Sequence, residues 1–411
     1  MIDLGLLRED SQAIGARIKK KDPSFDVDEL IKLDQQVRKL RLEVEALRHE
    51  KNELAQQGKK GITPELREAS IKIGKELKDK EAQLLCIEHD FMQLAMRCPN
   101  LPSDQLPEGG KEANQVILVK GDKPTFAFEP KHHLELGNNL GWFDWHAAAT
   151  VAGGGFVFYR NEAVKLMYAL MMFMVKHNNE HGYQLALPPY VVNEKSLEVA
   201  SNFPKFRDEV YSITADNLYL IPTAEVSLAN LHREAIFTPD QLPLRYTAAT
   251  SCFRREAGGY GASERGLIRI HQFEKAELFT YCLPENSDEE LERMLECAQG
   301  LLKKLGLHYR ISLLAAQDCS FASAKTYDIE IWMPGQNEYK EVSSCSNCTD
   351  FQARRGLIRY KNTQGSKTNF VHTLNGSSLA LPRLVAALME TYQQEDGTIH
   401  IPEVLKGYGI Y

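Results

Sequence analysis

The chain has 411 residues, of which 43% are hydrophobic and 26% charged, with a formal charge of −7 at neutral pH. That is material for two or three domains with sizeable cores. Its 27 glycines and 17 prolines exclude collagen-like, mucin-like and wholly disordered chains. No apolar run reaches the ~20 residues that cross a bilayer. The closest, Leu166 to Val175, runs into Lys176 and His177 and reads as a core or subunit-contact helix. The N-terminal stretch carries Asp3, Glu9 and Asp10 and has no basic head before an apolar segment, so a signal peptide is not expected. Eight scattered cysteines make no disulfide framework and are expected to be reduced, as in a cytoplasmic protein. The net charge neither indicates nor excludes nucleic acid, because recognition depends on local fields.

Taken in chain order, the first strong signal is a heptad seam. Leu30, Leu33, Val37, Leu40, Val44, Leu47, Lys51 and Leu54 alternate spacings of three and four, as coiled-coil core positions do. The helix is expected to stop near Gly58. Thr63 then offers an N-cap and Pro64 suits the first helical position. A second seam follows through Ile73, Leu77, Lys80, Leu84, Ile87, Phe91, Leu94 and Cys98, ended by Pro99. A short turn between helices of similar length predicts an antiparallel hairpin. Its faces interleave Arg38, Lys39, Arg41, Arg48, Lys72, Lys75 and Lys78 with acids, which fits a solvated salt-bridged surface or a nucleic-acid contact.

Residues 101–121 are rich in Pro, Gly and polar side chains and read as a linker. Beyond it, β-rich runs are expected at 155–159, 209–213, 218–221, 267–273, 328–332 and 339–342. Helices are expected at 162–180, 288–305 and 379–394. Few crossover helices separate the strands, so the expectation is an α+β fold with a largely antiparallel sheet flanked by helices.

The familiar nucleotide and metal signatures are missing. No P-loop is present, and no G-x-G-x-x-G follows a strand. Cys345 and Cys348 have C-x-x-C spacing without a second pair, and His132 and His133 sit where a helix should start, so structural roles are expected for both and no structural metal. Thr223 and Glu225 are expected on one face of an extended segment, a hydroxyl and a carboxylate able to hold an ammonium. From Cys252 to Glu277, two β-rich stretches flank a Gly-rich charged loop, the outline of a long hairpin. Arg254 there suits a phosphate, although a salt-bridge ladder would use the same charges. Glu341 and Ser344 offer a carboxylate and a hydroxyl to a divalent ion. Arg383 follows Pro382 in the first turn of the last long helix.

Thr223-Ala-Glu225, Phe253-Arg-Arg-Glu-Ala-Gly258, His271-Gln-Phe-Glu-Lys-Ala-Glu277, Glu341-Val-Ser-Ser-Cys-Ser-Asn-Cys348 and Asn375-Gly-Ser377 through Arg383 together resemble seryl-tRNA synthetase, a class II aminoacyl-tRNA synthetase. The resemblance spans the chain, including the hairpin and Pro188-Pro189. It implies a tRNA-binding coiled-coil domain at 1–100 and a class II catalytic domain at 122–411. It further implies formation of seryl-adenylate from serine and ATP with Mg²⁺, then transfer to serine tRNA and selenocysteine tRNA, by a cytoplasmic homodimer that engages no membrane. Catalysis would rest on Arg254, Glu341 and Arg383. ATP would meet Arg254, Arg255, Glu256, Phe273, Glu341, Val342, Ser343, Ser344 and Arg383, with Mg²⁺ held by Glu341 and Ser344. Serine would meet Thr223, Ala224, Glu225, Arg254, Glu277, Asn375 and Ser377. Two stretches depart from the family pattern: Val199 to Phe206, and Gly155, where the family tends to carry Arg.

Overall fold

A computed structural model describes residues 1–59, 61–256, 266–362 and 367–408. The chain divides into two compact units, Met1–Pro99 and Asn100–Tyr411.

The first unit is helical. Short helices Leu4–Glu9 and Ser11–Lys21 precede two long ones, Val27–Gly58 and Pro64–Arg97. Asp26 caps the first long helix by accepting from Glu29 N at 2.9 Å. Thr63 caps the second by accepting from Leu66 N at 3.2 Å, with Pro64 at the helix start. Both ends therefore fall where the cap residues put them. The seams bury Leu30, Leu33, Val37 and Val44 on one helix and Ile73, Leu77 and Phe91 on the other. Burial fades toward the turn, where Lys51 is exposed. Arg41 pairs with Glu88 and Arg48 with Glu81, each at 2.7 Å, so the partners run in opposite order and the hairpin is antiparallel. Lys80 meets Glu43 at 2.6 Å. Part of the mixed charge is thus spent on clasping the two helices, with Arg38, Lys39, Lys72, Lys75 and Lys78 outside those pairs.

The second unit is built on one eight-stranded sheet, labelled here β1 (Gln115–Lys120), β2 (Gln184–Leu185), β3 (Leu244–Phe253), β4 (Gln272–Cys282), β5 (Tyr309–Leu313), β6 (Lys325–Met333), β7 (Glu338–Asn347) and β8 (His372–Ala380). Their order across the sheet is β1-β5-β6-β7-β8-β4-β3-β2. Every pairing is antiparallel except β2 with β3. Helices Glu162–Glu180, Ser287–Lys304 and Leu381–Tyr392 supply apolar residues to the main core against it.

Strand β4 shows how side-chain alternation builds two faces. Its even-numbered Ala276, Leu278 and Cys282 join the helix-covered core. Its odd-numbered Phe279 and Tyr281 join a second core with Leu197, Phe203, Val226 and Ile358. Phe273, Lys275 and Glu277 lie on that second face, farther along the strand.

Several expectations need correction. The 101–121 linker instead belongs to the second unit: β1 lies within it as an edge strand on β5, and Asn100 N donates to Phe321 O at 3.0 Å. Six residues bracketed by Gly and polar groups gave too little alternation to stand out. Residues 155–159 form no strand beyond a single bridge of Tyr159 to Phe143. Of 209–213, only Ser212–Ile213 is strand. The 267–273 stretch starts as a helical turn at Gly266–Ile268, and β4 begins only at Gln272. The last long helix begins at Leu381, because Leu379 and Ala380 finish β8. The other long helices, Glu162–Glu180 and Ser287–Lys304, match expectation within a residue.

Candidate active site

The hairpin of β3 and β4 carries the site. The pairs Cys252–Phe273, Thr250–Lys275 and Ala248–Glu277 are opposite one another, and across the other edge of β4 Glu277 faces Ser377 and Lys275 faces Ala380. A cavity of ≈ 250 Å³ opens over this surface, lined by Arg254, Glu256, Phe273, Lys275, Glu341, Val342, Ser377 and Arg383 among others. All of these except Lys275 were singled out in the sequence, and they share one space. The Gly-rich loop expected between the strands, from Ala257 to Arg265, lies outside the described residues.

At one end, the Arg254 guanidinium lies 5.1 Å from the centre of the Phe273 ring. Its Nε donates to Pro222 O at 3.3 Å, and its backbone N to His271 O at 2.9 Å. His271 returns a contact from Nδ1 to Arg254 O at 2.8 Å, and its N donates to Gly155 O at 2.8 Å. Gly155 has φ +79°, and a Cβ there would come within 2.2 Å of the His271 ring. The absent side chain thus makes room for the imidazole that fixes Arg254. Glu256 pairs with Arg269 at 2.5 Å. Arg383 Nη1 donates to Glu341 O at 2.8 Å and lies 3.6 Å from the Glu341 carboxylate, while its Nε donates to Ile268 O at 3.2 Å. One helical turn and one strand thereby hold the second guanidinium in the wall of the same cavity.

Against the lining residue Lys275, Glu277 is buried at 1% exposure. The Thr223 hydroxyl donates to its Oε2 at 2.9 Å, and Lys275 Nζ lies 2.5 Å from the same oxygen. Lys275 also donates to Thr223 Oγ1 at 2.9 Å, which accepts from Glu225 N at 3.2 Å as well. Thr223 and Glu225 are not on an extended segment. Thr223 lies in a turn that leads into the short helix Glu225–Leu228, and it caps that turn by its hydroxyl. Gln352 donates to Glu225 Oε1 at 2.7 Å and to Ala200 O at 3.2 Å, while Thr373 fixes the Gln352 carbonyl at 2.8 Å. Burial, and then repulsion from Glu277, pushes the Glu225 carboxyl up to about 7.

The remaining expected residues are spread around this centre. Ala224 is fully buried between Thr223 and Glu225. The Arg255 side chain is exposed, and its backbone N donates to Glu209 O at 2.8 Å. Ser343 is buried and donates to the Ser377 carbonyl, so its hydroxyl supports the wall. Asn375 donates to Cys348 Sγ at 3.2 Å and is not among the lining residues. His132 accepts from Leu134 N at 3.1 Å as a helix cap, and His133 is buried against Glu390 at 2.8 Å, the structural roles expected of them.

Strand β6 adds a residue that sequence reasoning missed. Asp328 lies opposite Ser344 of β7, and its Oδ1 is buried with no hydrogen-bond partner among the described residues. Burial, and then the nearby Glu341 carboxylate, raises the Asp328 carboxyl well above its usual range. Two acids and a hydroxyl with an orphaned oxygen form a hard oxygen donor set of the kind that suits Mg²⁺. Lys275, His271 and Gln352 were missed too. Only the alternation of Phe273, Lys275 and Glu277 could have pointed to the lysine.

A largely antiparallel sheet carries Arg254 against Phe273, with Arg383 lining the same cavity, and comparison with known proteins places this core in class II of the aminoacyl-tRNA synthetases. Residues 204–392 match the tRNA synthetase class II core domain (G, H, P, S and T), and residues 1–102 match the seryl-tRNA synthetase N-terminal domain. The chain is 44% identical to serine–tRNA ligase 2 of Clostridium acetobutylicum and 45% identical to the serine–tRNA ligase of Fervidobacterium nodosum, each alignment covering 99% of this chain and 98% of the relative. A seryl-tRNA synthetase from Pyrococcus horikoshii, solved in complex with ATP, superposes with a TM-score of 0.93 at 35% identity over 99% of this chain and 98% of that one. The chain belongs to the seryl-tRNA synthetase family.

Proposed function

We propose that this protein is a serine–tRNA ligase that condenses serine with ATP to seryl-adenylate and passes the seryl group to the 3′ end of serine tRNA. The observation that carries the reading is a polar cavity lined by Arg254, Phe273 and Arg383, with the buried Thr223–Glu277–Glu225 cluster joined to it through the lining residues Lys275 and Ser377. Arg254, Phe273 and Arg383 suit a nucleotide, and Thr223, Glu277 and Glu225 suit a small amino acid bearing a hydroxyl. Phe273 would stack on adenine with Arg383 on the other side, Glu256 would meet the adenine amino group, and Arg254 would contact the α-phosphate.

The reaction joins a carboxylate oxygen to a phosphorus that already carries negative charge, and pyrophosphate leaves. The barrier is electrostatic, so fixed guanidinium groups lower it without a nucleophilic side chain, each contributing ~3 kcal/mol. Arg254 is held by Pro222 and His271, and Arg383 by Ile268 and Glu341, so little reorganisation is needed on reaching the transition state. Glu341 and Ser344, with Asp328 beside them, would hold Mg²⁺, which supplies charge neutralisation on the phosphates when bound. Alanine would leave the buried Glu277–Thr223 acceptors without the substrate hydroxyl, the type of loss that discriminates strongly.

The Val27–Gly58 and Pro64–Arg97 hairpin, with basic residues outside its clasping ion pairs, supports phosphate contact with serine tRNA, and the family reading extends to selenocysteine tRNA. Exposed Tyr168 and Met172 on helix Glu162–Glu180, beside the apolar wall of Phe156, Phe158 and Met171, support a homodimer. Among the described residues no helix is long and apolar enough to cross a membrane, and the family reading carries a cytoplasmic location. The test is charging of serine tRNA with labelled serine and Mg·ATP. Accumulation of seryl-tRNA supports the reading, and charging with a different amino acid overturns it.

A further inference from the structure

Lys275 holds the place a substrate cation would take. It is 6% exposed, yet it lines the cavity, and its Nζ sits on Thr223 Oγ1 and Glu277 Oε2. Those are the oxygens on which the ammonium or hydroxyl of an amino acid would be received. The acids at this end are Glu277 and Glu225, and the cations facing them are Lys275 and Arg254. A substrate ammonium arriving on these acceptors repels Lys275, while the substrate's carboxylate needs a cation. Strand geometry supplies one at the right place. Phe273, Lys275 and Glu277 lie in a row at ~7 Å per two residues, so Lys275 stands between the base-stacking end and the amino-acid end. Of its two cross-strand neighbours, Ala380 offers no partner for the ammonium and Thr250 only a neutral hydroxyl. A lysine has the four-carbon stem and three donors needed to swing between partners.

We propose that Lys275 exchanges partners during the reaction: it is paired with Glu277 and Thr223 in the free enzyme, and turns to the substrate carboxylate once the amino acid takes those two acceptors. There it aims one carboxylate oxygen at the α-phosphorus. That oxygen forms the new bond to phosphorus, the bond from phosphorus to the bridging oxygen breaks, and its electron pair leaves with pyrophosphate. No proton moves, and Lys275 stays an ammonium throughout. This inference rests on the serine–tRNA ligase reading.

The test compares wild type with Lys275→Met and Lys275→Arg in the full-length protein. Calorimetry measures L-serine, L-serinamide (which lacks the carboxylate) and ATP, and serine-dependent pyrophosphate exchange gives kcat and KM. The expected result is that K275M weakens serine at least roughly tenfold more than serinamide, lowers kcat for exchange, and leaves ATP binding intact as proof of folding, with partial recovery in K275R. Equal loss for serine and serinamide overturns the exchange of partners and leaves Lys275 as a fixed counter-ion of Glu277. Should K275M lose ATP binding, the structure of the wild type with a sulfamoyl analogue of seryl-adenylate decides. Nζ within hydrogen-bond reach of the seryl carbonyl supports the proposal, and Nζ still on Glu277 alone refutes it. Wild type that exchanges pyrophosphate with another amino acid instead of serine would bring down the functional reading, a distinguishable failure.

Discussion

Replacing Glu225 by Gln should stabilise the protein while impairing its use of serine. The carboxyl is shielded beside Glu277, with Lys275 and Arg254 facing it and Gln352 donating to Oε1, and its pKa is pushed up to about 7 from 4.5. A group whose folded pKa lies above its unfolded one contributes stability in full below the unfolded value and loses it as pH rises through the folded one. Between about 4.5 and about 7 the wild type should therefore lose ~1.4 kcal/mol per pH unit from this residue, roughly 3 kcal/mol in all. The amide introduced by the substitution has no charge to desolvate and can still accept from Gln352. The assay is thermal or denaturant unfolding of both proteins from pH 4 to pH 8, taken as a difference so that other carboxylates cancel. E225Q should match wild type near pH 4 and exceed it at pH 8 by ~2–3 kcal/mol, a few degrees in midpoint for a chain of this size. A difference that does not change with pH, or an E225Q protein less stable than wild type at pH 8, refutes the reasoning. In the same variant KM for serine should rise, because the substrate ammonium then meets one carboxylate, Glu277, instead of two.

The site makes further demands. Arg254→Ala should cut kcat for adenylate formation by ~100–1000-fold, as loss of one fixed transition-state donor does, with little change in unfolding midpoint. Glu341→Gln should raise the Mg²⁺ concentration giving half-maximal exchange by roughly tenfold or more, since one of the hard donors becomes neutral. Deleting residues 27–98 should leave serine-dependent pyrophosphate exchange within a fewfold of wild type and abolish charging of serine tRNA. Equal charging by the shortened protein contradicts the role assigned to the hairpin.

The sequence made the first unit legible because its order is local. Heptad seams, the Thr63 cap and Pro64 act within a few residues of one another, and the helices Val27–Gly58 and Pro64–Arg97 begin and end accordingly. Strands β6 and β7 were visible for the same reason. What stayed hidden depends on chain segments meeting from a distance. β1 is a strand because β5 pairs with it, and residues 155–159 form none because their cross-chain backbone contacts stop at the Tyr159–Phe143 bridge and isolated bonds from Asp144 and His271 without building a ladder. Thr223 and Glu225 looked extended from their spacing, but Thr223 uses its hydroxyl on Glu225 N and turns the chain into a helix. Most site residues were found from the family's blocks, whereas Lys275, although inside one of them, and Asp328 acquire meaning only from register. Lys275 faces Thr250 and Ala380, and Asp328 faces Ser344.

Exchange of labelled pyrophosphate into ATP, measured on the purified full-length protein with each amino acid in turn, addresses the central assignment most directly. Exchange that requires serine and Mg²⁺ and is negligible with alanine and threonine is the expected outcome. Exchange driven by another amino acid, or none with serine while ATP still binds, would contradict the view that Thr223, Glu277, Arg254 and Arg383 form one serine-activating site.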